Sequence, residues 1–273
     1  MIETPAFGAA RMVNLERYPI DDATSAGYAA FVRACRNRFV EDGLCMLPDF
    51  IRPEALEALA EEANGCAGDA WFCNGTHNVY LTQNDARVPP GDVARRQERT
   101  YVGSVPYDRI GDDSSLRRLY LWDPLKDFVG AVLGKPRLHR FADPLGACSV
   151  NVFVDGGVHG WHFDESEFSV TLMLQAPEYG GAFEYVPRIR GRDDETAIVG
   201  SVLDGDRSHV LELPFTAGTL LIFGGRQTLH RVTRVGGARL RLVPVLTYAE
   251  RPGLKNSEAV RKLFWGRTGT GNA

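Results

Sequence analysis

The chain has little of what would class it at once. No run approaches the roughly 18 apolar residues of a membrane-spanning helix. The N-terminal stretch MIETPAFGAARMVNLERYPI carries acids early and has no apolar leader core, so a cytoplasmic location is expected. The five cysteines (Cys35, Cys45, Cys66, Cys73 and Cys148) are odd in number and none are spaced as CxxC. That speaks against a disulfide framework or a zinc ribbon and suits a reducing compartment. Charge runs of one sign are missing too: 31 basic and 35 acidic residues are interspersed, with a net charge of −4. Neither a nucleic-acid-binding face nor a polybasic membrane patch is expected. There are no repeats, no low-complexity tracts and no linker.

What remains is an ordinary globular composition, 44% hydrophobic and 24% charged over 273 residues. One domain over residues 1–273 is expected: a mainly helical part at 1–135, a β core at 136–250 and a closing helix in 251–273. Helical spacing marks ATSAGYAAFVRACRNRFVEDG, with Asp21 and Asp22 as caps, and RPEALEALAEEANG, with Pro53 in its first turn and Gly65 at its end. LCMLPDF reads as a short strand, AWFCNGTHNVYL as a hairpin around Asn74-Gly75, and SSLRRLYLWDPLKDFVGAVLG as helix broken at Pro124. From about residue 136 short strands follow one another, punctuated by Gly, Pro and Asp. DDETAIVGSVLDGD reads as an inserted helix and NSEAVRKLFWGR as a last helix capped near Ser257. The sum is a mainly β fold with flanking helices, a sandwich or jelly roll.

One stretch carries unusual chemistry for a strand. VHGWHFDESEF places His159, His162, Asp164 and Glu165 within residues 158–168. Buried histidines and acids must be paired or they cost several kcal/mol. His162 and Asp164 are two apart, which on a strand puts both on one face. His230 stands 68 residues later (230 − 162) in TLHRVTRV. Two imidazoles and a carboxylate on one face of an octahedron are the requirement of a mononuclear non-haem Fe(II) site, with positions left open for cosubstrate and O2. Arg239 follows His230 by nine residues, past which Arg241 shares its strand face. A planar guanidinium there suits the far carboxylate of a 2-oxo diacid that chelates iron at its keto acid end; Arg239 is the first choice and Arg241 the second.

These residues, with GGAFEYVP and PFTAGTLLIFGGRQTLHRVTRV, resemble the Fe(II)/2-oxoglutarate-dependent dioxygenases. The resemblance implies a double-stranded β-helix (jelly roll, cupin-like) core, Fe(II) held by His162, Asp164 and His230, and 2-oxoglutarate as cosubstrate with O2. DPLGACSVNVF, WHFDESEFSVTLMLQ and LTYAERPG look like the group of free-amino-acid halogenases, the lysine halogenases among them, and their hydroxylase relatives. Those halogenases have a glycine where this chain has Asp164, so the resemblance points to oxygen insertion and not to chlorination. Carried over without gaps, the group's clamps for the substrate's amine and carboxylate fall on Arg99, His159, Glu165 and Trp265. The positions that hold a distal lysine amine fall on Leu145, with Asp143 two residues away, on Val245 and on Thr247. Apolar Leu145 and Val245 would not stabilise a buried ammonium, so an aliphatic amino acid is expected as substrate and a basic one is the alternative. Hydroxylation is the expected outcome; desaturation, ring closure onto the amine and a carrier-tethered substrate stay open. A non-catalytic metal-binding sensor would leave the arginine without a purpose, and so would a zinc hydrolase. The expected partner is the small-molecule amino acid itself, with no nucleic acid and no membrane, and the sequence carries no signal for oligomeric state.

Overall fold

The computed structural model describes residues 8–83 and 85–270; the start of the N-terminal stretch, residues 1–7, lies outside them. Eleven strands form one antiparallel sheet. In chain order they are β1 (Leu44–Leu47), β2 (Trp71–His77), β3 (Glu98–Val105), β4 (Cys148–Phe153), β5 (Val158–His162) and β6 (Ser169–Leu172), then β7 (Phe183–Val186), β8 (Leu211–Leu213), β9 (Leu220–Phe223), β10 (Leu229–Val232) and β11 (Arg241–Leu246). The spatial order is β1-β9-β6-β11-β4-β3-β5-β10-β7-β8, with β2 on the free side of β3. The sheet curls until β4, β6 and β11 face β5, β7 and β10 across one interior, which is the jelly roll expected from the run of short strands. It is not confined to residues 136–250: β1, β2 and β3 come from the first half of the chain.

Side-chain alternation gives the sheet its two faces. On β11, Arg241, Val243 and Val245 point inward, while Leu242 and Leu246 join the outer core under the helices. On β5, Trp161 packs outward with Phe163, Val186 and Leu229 beneath α5 (Glu195–Leu203), and His162 points inward. The outer core on the opposite half is covered by α1 (Ala26–Asp42), α2 (Pro53–Cys66), α3 (Ser115–Leu121) and α4 (Asp123–Leu133). Phe31 of α1 stacks on Phe128 of α4 at 5.3 Å. The last helix, α6 (Glu258–Trp265), is capped by Ser257, whose side chain accepts from Val260 N, and packs against β2 and β3.

Local expectations differ from the structure at three points. Asn74-Gly75 is not a turn: both lie inside β2, paired with Tyr101 and Thr100 of β3. The partner strand comes from 98–105, and its ladder of hydrogen bonds overrides the local turn preference. Helix α1 is capped by Ser25, which accepts from Tyr28 N, and not by Asp21 or Asp22. Gly65 lies within α2, which runs to Cys66. No helix among the described residues is long and apolar enough to cross a membrane.

Candidate active site

His162 and His230 stand directly opposite each other on the paired strands β5 and β10. Each ring is fixed by its own backbone. His162 Nδ1 lies 2.8 Å from the Gly160 carbonyl, and His230 Nδ1 lies 2.9 Å from the Thr228 carbonyl. A carbonyl oxygen only accepts, so both Nδ1 atoms carry the proton and both Nε2 atoms present a lone pair to the interior. Asp164 Oδ1 is 3.5 Å from each Nε2. The three donor atoms lie within 4.8 Å of one another. Ligands on one octahedral face sit about 3 Å apart for bonds of about 2.1 Å, so a small inward closure completes the shell.

The electrostatics agree with a ligand set. Burial, and then the facing His230, lower the His162 pKa to about 4, so its lone pair is free at neutral pH. Burial alone would raise the Asp164 carboxyl, but His230 and His162 outweigh it and hold that group well below the usual carboxylate range. Asp164 lies just past the end of β5, not on it as the HxD spacing suggests. Its N–H donates to the Gly225 carbonyl at 3.1 Å, which ties it to the turn between β9 and β10.

Strand parity alone would send His159 and His162 to opposite faces. The structure brings them together, stacked at 3.9 Å. The cause is a β-bulge: His162 pairs with His230 but His159 pairs with Val232, so β5 spends one residue more than β10 over this interval. Gly160 sits in the bulge, where a Cβ would come within 2.7 Å of Glu98 Cβ and 2.8 Å of the Arg99 carbonyl. A short relay, absent from the sequence reading, steadies it. Gly160 N–H donates to Thr100 Oγ1 (3.2 Å), and the Thr100 hydroxyl donates to His77 Nε2 (2.6 Å). His77 Nδ1 in turn donates to the Asn78 carbonyl at 3.0 Å. His159 Nε2 is buried without a partner. Burial, and then the neighbouring His162 and His77, push its pKa well down, so the ring is neutral.

Two cavities meet at this cluster, sharing Asn151, His159, His162, Asp164, Ser169 and Val245. The inner one, about 110 Å³, runs between the two halves of the sheet and contains Arg241 and Thr171. Arg241 is 2% exposed. Its Nε donates to the Gly181 carbonyl at 3.1 Å and its guanidinium lies 5.0 Å over the Phe153 ring. Burial lowers its pKa to about 9, still a cation at neutral pH. Gly181 permits the approach, since a Cβ there would be 2.9 Å from Arg241 Cδ. Thr171 Oγ1 is buried in the same cavity with no hydrogen-bond partner. The outer cavity, about 150 Å³, is walled by loop and helix residues, including Glu165, Phe168, Val260, Phe264 and Trp265.

Of the two arginines expected from the sequence, the second choice, Arg241, lies in this cavity and the first, Arg239, does not. Arg239 is exposed, donating from its guanidinium to the Pro177 carbonyl at 2.9 Å. Strand β11 begins at Arg241, and Arg239 belongs to the turn before it, where alternation has not yet started. Arg99 is likewise outside: it is exposed and donates to Asn74 Oδ1 at 3.0 Å, on the face of β3 opposite to Ser104 of the outer cavity. Leu145 is fully buried but does not line either cavity. Its neighbour Asp143 accepts from Leu145 N, Gly146 N and Asn256 N, which ties a loop together. Val245, Thr247, His159, Glu165 and Trp265 all line the outer cavity. Glu165 accepts from Ser257 Oγ at 3.1 Å, and Trp265 Nε1 donates to Ser104 Oγ at 3.0 Å.

Comparison with known proteins agrees with this geometry. The sequence model of the family described as Halogenase D matches residues 28–263. Among solved structures, the chain is similar to AviO1 from Streptomyces viridochromogenes (TM-score 0.56, 18% identity, covering 82% of this chain and 97% of that one). It is also similar to HygX from Streptomyces hygroscopicus, solved with nickel, 2-oxoglutarate and hygromycin B (TM-score 0.53, 16% identity, 80% and 86% covered). A third is an oxidoreductase of the 2OG-Fe(II) oxygenase family from Burkholderia pseudomallei (TM-score 0.50, 18% identity, 81% and 91% covered). No curated protein sequence matches the chain.

Proposed function

The chain belongs to the Halogenase D family, within the Fe(II)/2-oxoglutarate-dependent oxygenases, and we propose that it hydroxylates an unactivated C–H bond of a free, aliphatic L-amino acid. The observation that carries the reading is Asp164, its Oδ1 equidistant from the two Nε2 atoms, where the halogenases resembled by this sequence have glycine. A carboxylate in that place takes the coordination position that a halide would need.

His162, Asp164 and His230 would hold Fe(II), and the two neutral imidazoles and one ionised carboxylate fit it. Bound iron supplies the oxidation, coupled to decarboxylation of 2-oxoglutarate to succinate and carbon dioxide. Arg241 and Thr171 supply the matching cradle for the cosubstrate's far carboxylate: a buried cation that pairs with no carboxylate among the described residues, and a buried hydroxyl without a partner. Both defects are costly unless a ligand satisfies them. Replacing Arg239 in this role, Arg241 keeps the chemistry the sequence asked for and moves it two residues along.

On the outer side, Glu165 offers an anion to the substrate ammonium, and His159 Nε2 can donate to its carboxylate. The Trp265 indole is already engaged with Ser104, so it acts as a wall. Val245, Phe168, Leu246 and Val260 leave an apolar lining for an aliphatic side chain. Ser149, Thr247 and Asn256 on the same lining favour, as a second reading, a side chain ending in an amine.

The test is anaerobic loading with Fe(II) and 2-oxoglutarate, followed by O2 and each of the twenty free amino acids, read by product mass and succinate. Gain of one oxygen on an aliphatic amino acid supports the proposal. Loss of two hydrogens selects desaturation or ring closure. A gain of oxygen on lysine or arginine alone selects the second reading, and no substrate-stimulated succinate with any of them contradicts a free-amino-acid substrate.

A further inference from the structure

We infer that Ser169, backed by Gly225, is a positioning residue that restricts Asp164 to a single ligating oxygen; the inference rests on the iron-site reading above. A free carboxylate can chelate through both oxygens, and the structure prevents this here. Asp164 Oδ1 faces the two imidazoles, while Oδ2 accepts from Ser169 Oγ at 2.5 Å. Behind Oδ2 lies the backbone of Gly225. A Cβ at that position would stand 2.0 Å from Oδ2, 2.8 Å from Asp164 Cγ and 3.0 Å from Asp164 Cβ. Gly225 does not have a positive φ, so it is space and not conformation that demands glycine.

The two anchors come from different parts of the sheet, which makes the lock rigid. Ser169 opens β6 and is paired with Phe223 of β9. Gly225 lies in the tight turn leaving β9, closed by Gln227 N and Thr228 N donating to the Gly224 carbonyl at 3.1 and 3.0 Å. That turn leads into β10 and His230. The carboxylate is thus held between the strand that supplies Ser169 and the turn that delivers the second histidine.

The arrangement matters because coordination positions are few. Two histidines and one carboxylate oxygen leave about half of an octahedron open, enough for a chelating 2-oxo acid and one further ligand. If Oδ2 also ligated, it would compete for one of those positions. Ser169 lines both cavities, so its hydroxyl stands at the boundary between cosubstrate and substrate.

The experiment compares wild type, Ser169→Ala, Ser169→Thr and Gly225→Ala under anaerobic conditions. It measures the Fe(II) Kd, the 2-oxoglutarate Kd of the iron-loaded protein, the visible charge-transfer spectrum of that complex, and the melting temperature. Losing an outer hydrogen bond to a metal ligand typically costs about 10–100-fold in affinity. Ser169→Ala is expected to weaken 2-oxoglutarate on the iron-loaded protein by that range, because the freed oxygen takes up a coordination position, and to shift the charge-transfer band, with Ser169→Thr restoring both. Gly225→Ala should displace the carboxylate and bring Fe(II) affinity down to that of Asp164→Ala. Unchanged affinities and an unchanged band in Ser169→Ala, or a lowered melting temperature with neither affected, overturn the assignment. Wild type that binds neither Fe(II) nor 2-oxoglutarate instead overturns the iron-site reading itself.

Discussion

The two cavities on either side of the histidine cluster are built from different material. The inner one is lined by strand residues from both halves of the sheet, apart from Asp164 and Phe215, and contains one arginine, 2% exposed. The outer one takes much of its wall from the 164–168 loop, from Asn256 and from helix α6, and no arginine or lysine lines it. Strand positions are fixed by a ladder of backbone hydrogen bonds, whereas loop and helix-end positions change without disturbing the sheet. On the proposed reading the cosubstrate occupies the first, whose walls are fixed, and the substrate the second, whose walls can change.

The sharpest break of that comparison is Arg241→Leu against Arg239→Leu. Removing a buried charge partner costs about 2–5 kcal/mol, so KM for 2-oxoglutarate should rise at least about 30-fold for Arg241→Leu. The exposed Arg239 should change it by less than about twofold. Equal effects would erase the distinction between the cavities. Next, His159→Phe keeps the stacking on His162 and removes the donor. Steady-state kinetics should give a KM for the amino acid raised about tenfold, with that for 2-oxoglutarate nearly unchanged. Parallel changes in both would place His159 on the cosubstrate's side.

Acid should act on the inner cluster first. His162 is held at about 4 against an ordinary 6.5, so unfolding takes up a proton between those values. The stability this contributes is complete above pH 6.5 and drains as pH falls toward 4. The urea midpoint of the metal-free protein should drop between pH 7 and pH 5, and a smaller drop in His162→Gln would assign it. The smallest effect belongs to Arg99→Leu: from its exposed place beside Asn74, substrate KM should move by less than about twofold. A large rise would show that the Arg99 side chain swings over the outer cavity when substrate arrives.

How much of this was legible depended on the element. His162 and His230 could be read because each sits on a strand beside a sequence-local partner, and the HxD spacing led to Asp164 even though it lies past the strand end. The arginine could be read as a type but not as a position, because counting past Gly236-Gly237 does not say where β11 begins. His159 was carried by resemblance alone; the bulge that turns it inward has only Gly160 as a signal in the sequence. His77, Thr100 and Thr171 were missed because each takes its place only through strands distant in the chain, and Ser169 because the loop that folds it back onto Asp164, five residues earlier, has no sequence signal. Of the residues carried over without gaps, His159, Glu165 and Trp265 lie at the outer cavity, whereas Arg99, separated along the chain from the metal ligands by irregular segments, lies outside it. The Asn74-Gly75 turn failed for the opposite reason: a strong local preference lost to a long-range strand pairing.

The most direct measurement is anaerobic titration of Fe(II) into the protein with 2-oxoglutarate present, followed by the visible charge-transfer absorption, for wild type and Asp164→Ala. Wild type should develop the band with one iron per chain and then release succinate on exposure to O2 and an aliphatic amino acid. Asp164→Ala should lose iron affinity and fail in both. An Asp164→Ala protein that binds iron normally and turns over fully, or a wild type that never develops the band, would contradict the account.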